Sequence, residues 1–270
     1  MGLFGRSEPE RSEMSFFEHL DALRPRLLRS GAVLLLLAVL CFACRELLVT
    51  VVTGPESPWF PTNRFFGWLA ERMSSESLRI NSRPLVLINT EMAGQFNLHL
   101  SMSLFGALIL GVPYVLWELW GFVKPALTES ELRASRRIVL YVTLCFFTGV
   151  AFGYFVLCPL SVNFLSNYEV GGQIANMIEI GSYVSLVTTL PLVCGVVFLL
   201  PVVVWILSRA GLLTAAFMRR YRRHALLFLS IGAAIITPPD VASMVLVLVP
   251  MYGLYELSIG IAVRGERGQA

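Results

Sequence analysis

The sequence predicts an all-α membrane protein with six transmembrane helices. Hydrophobic residues make up 56% of the 270 residues and charged residues only 14%, with a mean hydropathy of +0.71. An ordinary soluble domain is more polar than this. The apolar residues also fall into long uninterrupted segments, and most Lys and Arg residues lie between them on alternate connections. These observations together indicate a chain that crosses a bilayer several times.

Four apolar segments have the length of a full membrane span. A bilayer core of about 30 Å requires about 20 helical residues. Segments of this kind cover residues 28–49, 96–121, 138–157 and 184–207. The fourth contains Pro191 and Pro201, which should bend the helix because a proline cannot donate a main-chain hydrogen bond. A bent helix would form part of a concave wall.

The last two helices are predicted to be short. After Arg223 only about 13 apolar residues precede a turn, fewer than the roughly 20 that a span needs. The turn consists of Thr237, Pro238, Pro239 and Asp240. Its prolines end one helix, and Asp240 is placed to cap the next. The return segment, residues 241–255, is also short before Glu256, so the hairpin must thin the bilayer or lean on longer neighbours.

The distribution of positive charge predicts that both termini are cytoplasmic. Apart from the long loop at residues 45–83, the 21 Lys and Arg residues lie at the two ends of the chain and on alternate connections. Positively charged connections stay in the cytoplasm, and long loops obey this rule poorly. The chain is therefore expected to cross the membrane six times with both ends inside.

Two amphipathic helices are expected outside the spans. Ser15 and Glu18 have capping-box spacing at the start of a short helix on the cytoplasmic face, which Pro25 should break or kink. In the long loop, residues 62–78 place Phe65 and Met73 on one helical face. This helix either rests on the outer membrane surface or simply covers the bundle. Residues 1–14 are expected to be a disordered tail, 15–263 one membrane domain and 264–270 a second tail.

The sequence contains no motif of an enzyme or a metal site. The P-loop, nucleophile-elbow and zinc-protease motifs do not occur, so no catalysis is expected. The spacing of Cys41 and Cys44 matches half of a zinc site, but a second ligand pair is absent and packing is the better interpretation. We expect no metal, cofactor, disulfide or nucleic-acid partner.

Several ordered blocks of residues resemble TatC, the core membrane subunit of the twin-arginine protein translocase. They are His19-Leu20-x-x-Leu23-Arg24-x-Arg26-Leu27, residues 120–127 with Glu131 behind them, Tyr154-Phe155-Val156-x-x-Pro159-Leu160, Arg220-Tyr221-Arg222-Arg223, and Thr237-Pro238-Pro239-Asp240 with Pro250-Met251-Tyr252 and Tyr255-Glu256. The resemblance extends from about Ser15 to Ile261 and includes all six expected helices.

The resemblance implies a glove-shaped bundle in the cell inner membrane that takes part in the export of folded proteins. Its cytoplasmic face is expected to bind signal peptides that carry two consecutive arginines. The expected partners are single-span subunits of the TatA and TatB type, the lipid bilayer and further copies of the chain. The proton-motive force would drive transport.

The resemblance also implies which residues form the signal-peptide site. Glu131 matches the family's inner-loop carboxylate, and Asp21, Arg24 and Glu18 lie in the N-terminal segment. Helix capping is the alternative role for Glu131 and Asp240, and membrane anchoring is that for Arg24. The partner-binding or structural positions are Phe122, Pro125, Thr237, Pro238, Pro239, Asp240, Met244 and Glu256.

Some family positions hold a different residue in this chain. Ala22 replaces a Glu of the N-terminal segment, Leu199 replaces a Glu of the fourth helix, and Met244 replaces a Gln. Glu118 stands where Gln is common. These changes suit an alternative hypothesis, a divergent scaffold that binds TatA-type subunits and recognises signal peptides weakly. A small-solute transporter is less favoured because the predicted spans contain almost no charge in mid-helix.

Overall fold

The computed structural model describes residues 16–74, 79–81, 85–123, 138–168, 177–209, 211, 213–236 and 241–267. The first half contains α1 (Phe16–Ala43), α2 (Arg45–Thr53), a 3₁₀ turn (Gly54–Glu56), α3 (Pro61–Met73), β1 (Leu87–Ile88) and α4 (Gly94–Val123). The second half contains α5 (Ile138–Phe152), a π-helical turn (Gly153–Leu157), α6 (Cys158–Asn167), β2 (Ile178–Glu179), α7 (Ile180–Val197), α8 (Leu200–Arg209), α9 (Ala215–Arg220), α10 (Arg222–Ile236) and α11 (Val241–Arg267). The described chain is predominantly helical.

Four apolar segments of the structure are long enough to cross a membrane. They are Leu23–Ala43, Gly94–Phe122, Val139–Asn167 and Ile180–Ser208. Each overlaps one of the four long segments predicted from the sequence. The prediction of the first four membrane helices is therefore confirmed at the level of length and composition.

The last two helices differ in length. Helix α10 has 15 residues, as short as predicted. Helix α11 has 27 residues and continues past Glu256, so it is longer than predicted, although its apolar part, Val247–Val263, stays below the length of a full span. Glutamate is a good helix former, so Glu256 does not end the helix, and its carboxylate forms an ion pair with Arg222.

Proline interrupts one predicted helix and leaves another continuous. Helix α7 ends at Val197, and α8 begins at Leu200, just before Pro201. The ring of Pro201 would clash with the carbonyl of Val197, four residues earlier, if the helix continued without a break. Pro25 was expected to break or kink the first helix, and the break does not occur, because α1 is helical on both sides of this residue. The carbonyl that loses its partner belongs to Asp21, an exposed residue to which water has access.

Glycines allow α5 and α7 to pack closely. A Cβ atom at Gly153 would lie 2.7 Å from the Cα atom of Pro191, and one at Gly149 would overlap the carbonyl oxygen of Cys194. The two glycines are four residues apart, the spacing by which small residues bring membrane helices together. The main buried cluster lies here and includes Leu157, Val187 and Leu190.

One end of the bundle, here called the cap end, is closed by α3 and the strand pair. The strands are parallel, with Leu87 opposite Ile178, so α4 and α7 both begin at this end. The side chain of Asn81 donates hydrogen bonds to the carbonyl oxygen of Pro159 (2.9 Å) and to Oδ1 of Asn63 (3.3 Å). The amphipathic helix expected in this loop is confirmed as α3.

The opposite end, here called the basic end, is where α1 and α10 begin and where α4 and α8 end. The described arginines of its helices include Arg24, Arg26, Arg29, Arg219, Arg220, Arg222 and Arg223. The two ends therefore differ in chemistry. The cap end holds buried amides as well as the exposed Arg64 and Arg72 of α3, and the basic end carries arginines on several helices.

Candidate functional site

Helices α1 and α4 pack antiparallel at the basic end. A Cβ atom at Gly121 would overlap the guanidinium of Arg26, and one at Gly111 would overlap Leu34 further along both helices. Arg26 thereby reaches the last turns of α4, where its Nη1 atom donates a hydrogen bond to the carbonyl oxygen of Glu118 (3.1 Å). A cation close to the C-terminal end of a helix is also favoured by the helix dipole.

The side chain of Glu118 points to a different partner. Its Oε1 atom accepts a hydrogen bond from the hydroxyl of Tyr114, one turn earlier on α4, at 3.0 Å. Within the described ranges this carboxylate forms no ion pair. Glu118 is half-buried beside the exposed Trp117, at the level where aromatic side chains mark a membrane interface.

A second carboxylate at the basic end is fully partnered. Oε2 of Glu256 on α11 lies 2.7 Å from Nη2 of Arg222 on α10, and its Oε1 atom accepts a hydrogen bond from the hydroxyl of Tyr252 at 3.0 Å. The Arg222 and Glu256 side chains are 45% and 34% exposed. This ion pair joins the two helices of the last hairpin.

Further hydrogen bonds fasten α11 to its neighbours. The hydroxyl of Tyr255 donates to the carbonyl oxygen of Met218 on α9 (2.8 Å). The hydroxyl of Ser208 on α8 donates to the carbonyl oxygen of Ala262 (3.1 Å). Glu256 therefore belongs to a well-tied structural unit.

A large apolar groove lies between α1, α2, α4, α5, the π-helical turn and α7. Its volume is about 780 Å³. The lining includes Leu40, Phe105, Phe147 and Val187. Thr188 is one of its few polar members, and its hydroxyl is used within α7, where it donates to the carbonyl oxygen of Val184 (2.7 Å). Such a groove suits an apolar helical segment better than a polar solute.

A third carboxylate lies at the cap end, far from any of the arginines at the basic end. Oε2 of Glu56 is buried and has no hydrogen-bond partner among the described residues. Burial raises the pKa of the Glu56 carboxyl above its ordinary value. Nearby, the hydroxyl of Tyr183 donates to the carbonyl oxygen of Val52 (2.9 Å).

The predicted signal-peptide residues are only partly described. Asp21 and Arg24 are exposed on α1, and Glu18 falls within the same helix. Glu131 lies outside the described residues. The structure therefore places the N-terminal members of the predicted site at the basic end and leaves its inner-loop member untested.

The predicted partner-binding positions are described in part. Phe122 is half-buried near the end of α4, and Met244 is half-buried against the main apolar cluster. Glu256 forms the ion pair with Arg222. The other positions lie outside the described residues: Pro125, Thr237, Pro238, Pro239 and Asp240.

Sequence reasoning missed the contacts that organise this end. The pair Tyr114 and Glu118 and the pair Tyr252 and Glu256 both have the spacing of four residues at which helical side chains meet. That spacing was available in the sequence. The different partners of the two carboxylates could not be predicted from the sequence, because they depend on which helices pack together.

In the described part of the chain, no group of three or more His, Cys, Asp or Glu side chains is placed to hold a metal ion. The described groups at the basic end form an ion pair and hydrogen bonds that involve charged side chains. Carboxylates held in a fixed position at a membrane interface can bind guanidinium groups.

Comparison with known proteins identifies the family. The family model described as Sec-independent protein translocase protein (TatC) matches residues 18–250. The chain belongs to the TatC family. A TatC from Blattabacterium is 34% identical over 94% of this chain and 96% of its own length. One from Deinococcus radiodurans is 32% identical over 93% of this chain and 86% of its own length.

The fold agrees with this assignment. A crystal structure of the twin-arginine translocase receptor TatC superposes with a TM-score of 0.74 at 26% identity, covering 92% of this chain and 99% of that one. This TatC-family chain is thus a component of the Sec-independent protein translocase. The resemblance inferred from the sequence blocks is confirmed.

Proposed function

We propose that this chain is the signal-peptide receptor of a twin-arginine translocase. The observation that carries the proposal is the combination of a basic end with accessible carboxylates and a large apolar groove. A twin-arginine signal peptide has the matching parts, a pair of guanidinium groups followed by an apolar segment. The relatives that this chain resembles make this the first function to test.

The chain is proposed to lie in the cell inner membrane. It would cross this membrane six times, with both termini in the cytoplasm. Arginines gather at the basic end, which the positive-inside rule assigns to the cytoplasm. The cap end with α3 would then face outward. Helices α10 and α11 would be the fifth and sixth spans, with the shorter apolar lengths that favour a locally thinned bilayer.

In the proposed mechanism, the arginine pair binds first and the apolar segment follows. Glu131 and Asp21 accept the guanidinium groups in charge-assisted hydrogen bonds, which are stronger and more directional than those of an ammonium group. The apolar segment then enters the groove. Burial of apolar surface there contributes about 25 cal/mol per Å² removed from water. No covalent step by this chain is involved.

The proposed partners are single-span subunits of the TatA and TatB type. We place TatA-type helices beside the α10–α11 hairpin, because a thinned bilayer lowers the barrier to passage of a folded cargo under the proton-motive force. Measurement of bilayer thickness around the reconstituted chain tests this step. Uniform thickness around α10 and α11 would remove it.

A peptide-binding experiment tests the receptor function directly. The purified full chain is titrated with a fluorescent twin-arginine signal peptide and, in parallel, with a twin-lysine version. We expect the twin-lysine peptide, and a Glu131→Ala variant with the twin-arginine peptide, to bind at least tenfold more weakly. Equal or absent binding in all three arms would contradict the proposal.

A divergent scaffold is the second candidate function. It is favoured by Met244, which packs against the apolar cluster, and by the half-buried Leu199 in the interruption between α7 and α8. Both occupy positions at which the family resemblance implies polar contacts. This alternative predicts normal binding of TatA-type subunits together with weak binding of signal peptides.

A further inference from the structure

We propose that Glu118 is a guanidinium-binding carboxylate of the signal-peptide site and contributes to its preference for arginine over lysine. The inference rests on the proposed receptor function. It adds a residue of α4 to the carboxylates of the N-terminal segment and the inner loop.

The carboxylate of Glu118 is held in one orientation. The hydroxyl of Tyr114 donates to its Oε1 atom at 3.0 Å, one helical turn away. A carboxylate offers about four acceptor positions, and this contact uses one of them. Both oxygens therefore keep an acceptor position for the two parallel N–H groups of a guanidinium.

Arg26, which reaches this turn of α4, does not use these positions. Arg26 donates from Nη1 to the main-chain carbonyl of Glu118 (3.1 Å) and lies over Gly121. Its hydrogen bond is thus with the backbone, and the carboxylate accepts a hydrogen bond from Tyr114. Among the described residues Glu118 has no ion pair, whereas Glu256 has one at 2.7 Å. Because no described residue forms an ion pair with this carboxylate, it is available to a cationic ligand.

Depth distinguishes Glu118 from Asp21. Asp21 is exposed. It lies five residues before Arg26 on α1, which is about 7.5 Å along the helix axis. Arg26 is the residue that contacts the main chain at Glu118. An ion pair at an exposed site contributes only about 0–1 kcal/mol. Glu118 is half-buried beside Trp117, where weaker screening makes a charge-assisted hydrogen bond stronger.

The surrounding charge explains why one additional carboxylate matters. Arg24, Arg26 and Arg29 belong to the same end of α1. A ligand with two guanidinium groups is repelled by these cations unless nearby carboxylates offset them. The planar fork of a guanidinium also fits both oxygens of Glu118 at once, whereas an ammonium behaves as a point charge.

The test compares two charge-removing variants that preserve side-chain shape. The full chain in lipid nanodiscs is titrated with the twin-arginine and twin-lysine peptides as the unmodified protein, Glu118→Gln and Glu256→Gln. We expect Glu118→Gln to weaken binding of the twin-arginine peptide about tenfold and to reduce the arginine preference. Glu256→Gln should leave both affinities within about twofold, because its partner is Arg222 and not the ligand.

Two further measurements keep the outcomes separate. Thermal unfolding reports whether Glu118→Gln folds, and Glu118→Asp, which keeps the charge but shortens its reach toward Tyr114, should bind with intermediate affinity. Unchanged affinity in Glu118→Gln, with arginine preference intact in the unmodified protein, overturns only this inference. Absence of arginine preference in the unmodified protein overturns the proposed function as well.

Discussion

Glu118 on α4 and Glu256 on α11 are built in the same way and have different partners. Each carboxylate accepts a hydrogen bond at 3.0 Å from a tyrosine four residues earlier on its own helix. Each also lies at the basic end, opposite an arginine of a neighbouring helix. Arg222 binds the carboxylate of Glu256, whereas Arg26 binds the main chain at Glu118.

The difference separates a structural carboxylate from one that is available for binding. The Arg222–Glu256 pair is 45% and 34% exposed, so it contributes up to about 1 kcal/mol to stability, and the hydrogen bond from Tyr252 adds to this. A carboxylate without a counter-ion adds little to the fold, and its charge is available to a ligand. Substitution of Glu256 should therefore lower stability and leave peptide affinity unchanged. Substitution of Glu118 should lower peptide affinity and leave stability unchanged.

Charge reversal at Glu118 should have the largest effect on binding. In Glu118→Arg, a cation replaces the proposed partner of the guanidinium, and we expect a loss of about a hundredfold in affinity for the twin-arginine peptide. Fluorescence titration measures this loss. An affinity within threefold of the unmodified protein would show that the ligand does not approach α4.

Charge reversal at Glu256 should act on stability instead. Glu256→Arg places two guanidinium groups together and removes the hydrogen bond from Tyr252, so we expect a loss of about 2 kcal/mol in unfolding free energy. The exchange variant Arg222→Glu with Glu256→Arg should recover part of this loss. Chemical unfolding in detergent checks both, and no recovery in the exchange variant would argue against the ion pair.

Deletion of the two tyrosine hydroxyls makes a milder comparison. Tyr252→Phe should lower stability by about 1 kcal/mol and leave peptide affinity unchanged, because Glu256 keeps Arg222. Tyr114→Phe should lower peptide affinity about threefold, because Glu118 then samples more rotamers. The same two assays apply, and identical profiles for the two variants would contradict the distinction.

Glu56 at the cap end should show the smallest effect, visible only as a pH dependence. Burial raises its folded-state pKa above the unfolded value of about 4.3. Its contribution to stability is therefore fully present below the unfolded pKa and is lost as pH rises through the folded pKa. Between about pH 4 and pH 7, the unfolding temperature should fall less with rising pH in Glu56→Gln than in the unmodified protein. Parallel curves for the two proteins would show that Glu56 is not the group involved.

Hydropathy predicted the long helices because apolar length is a local property. The amphipathic α3 followed equally well, since it depends on residues within a few turns. Pro191 and Pro201 were both expected to bend the fourth helix; α7 continues through Pro191, and the helix is interrupted before Pro201. The break at Pro25, one of two expected outcomes, does not occur, and α11 continues past Glu256 although its apolar part is as short as predicted. Helix α1 can continue because water has access at Asp21, and α11 can continue because glutamate is a good helix former.

The candidate site was less accessible to sequence reasoning. The exposed Asp21 and Arg24 could be assigned to the correct end of the bundle from charge alone. The distinction between Glu118 and Glu256 could not be predicted from the sequence, because each glutamate follows a tyrosine by four residues. It arises from close packing at Gly121, which brings Arg26 onto the main chain of α4. The apolar groove likewise exists only after several distant helices are assembled.

A double-mutant cycle between Glu118 and the signal peptide tests the central claim most directly. Four affinities are measured, for the unmodified protein and Glu118→Gln, each with the twin-arginine peptide and with a peptide in which one arginine is replaced by its neutral analogue citrulline. We predict a coupling of at least about 1 kcal/mol at Glu118 for one of the two arginines, and none in the same cycle at Glu256. No coupling at Glu118 for either arginine, or equal coupling at both carboxylates, would contradict the account.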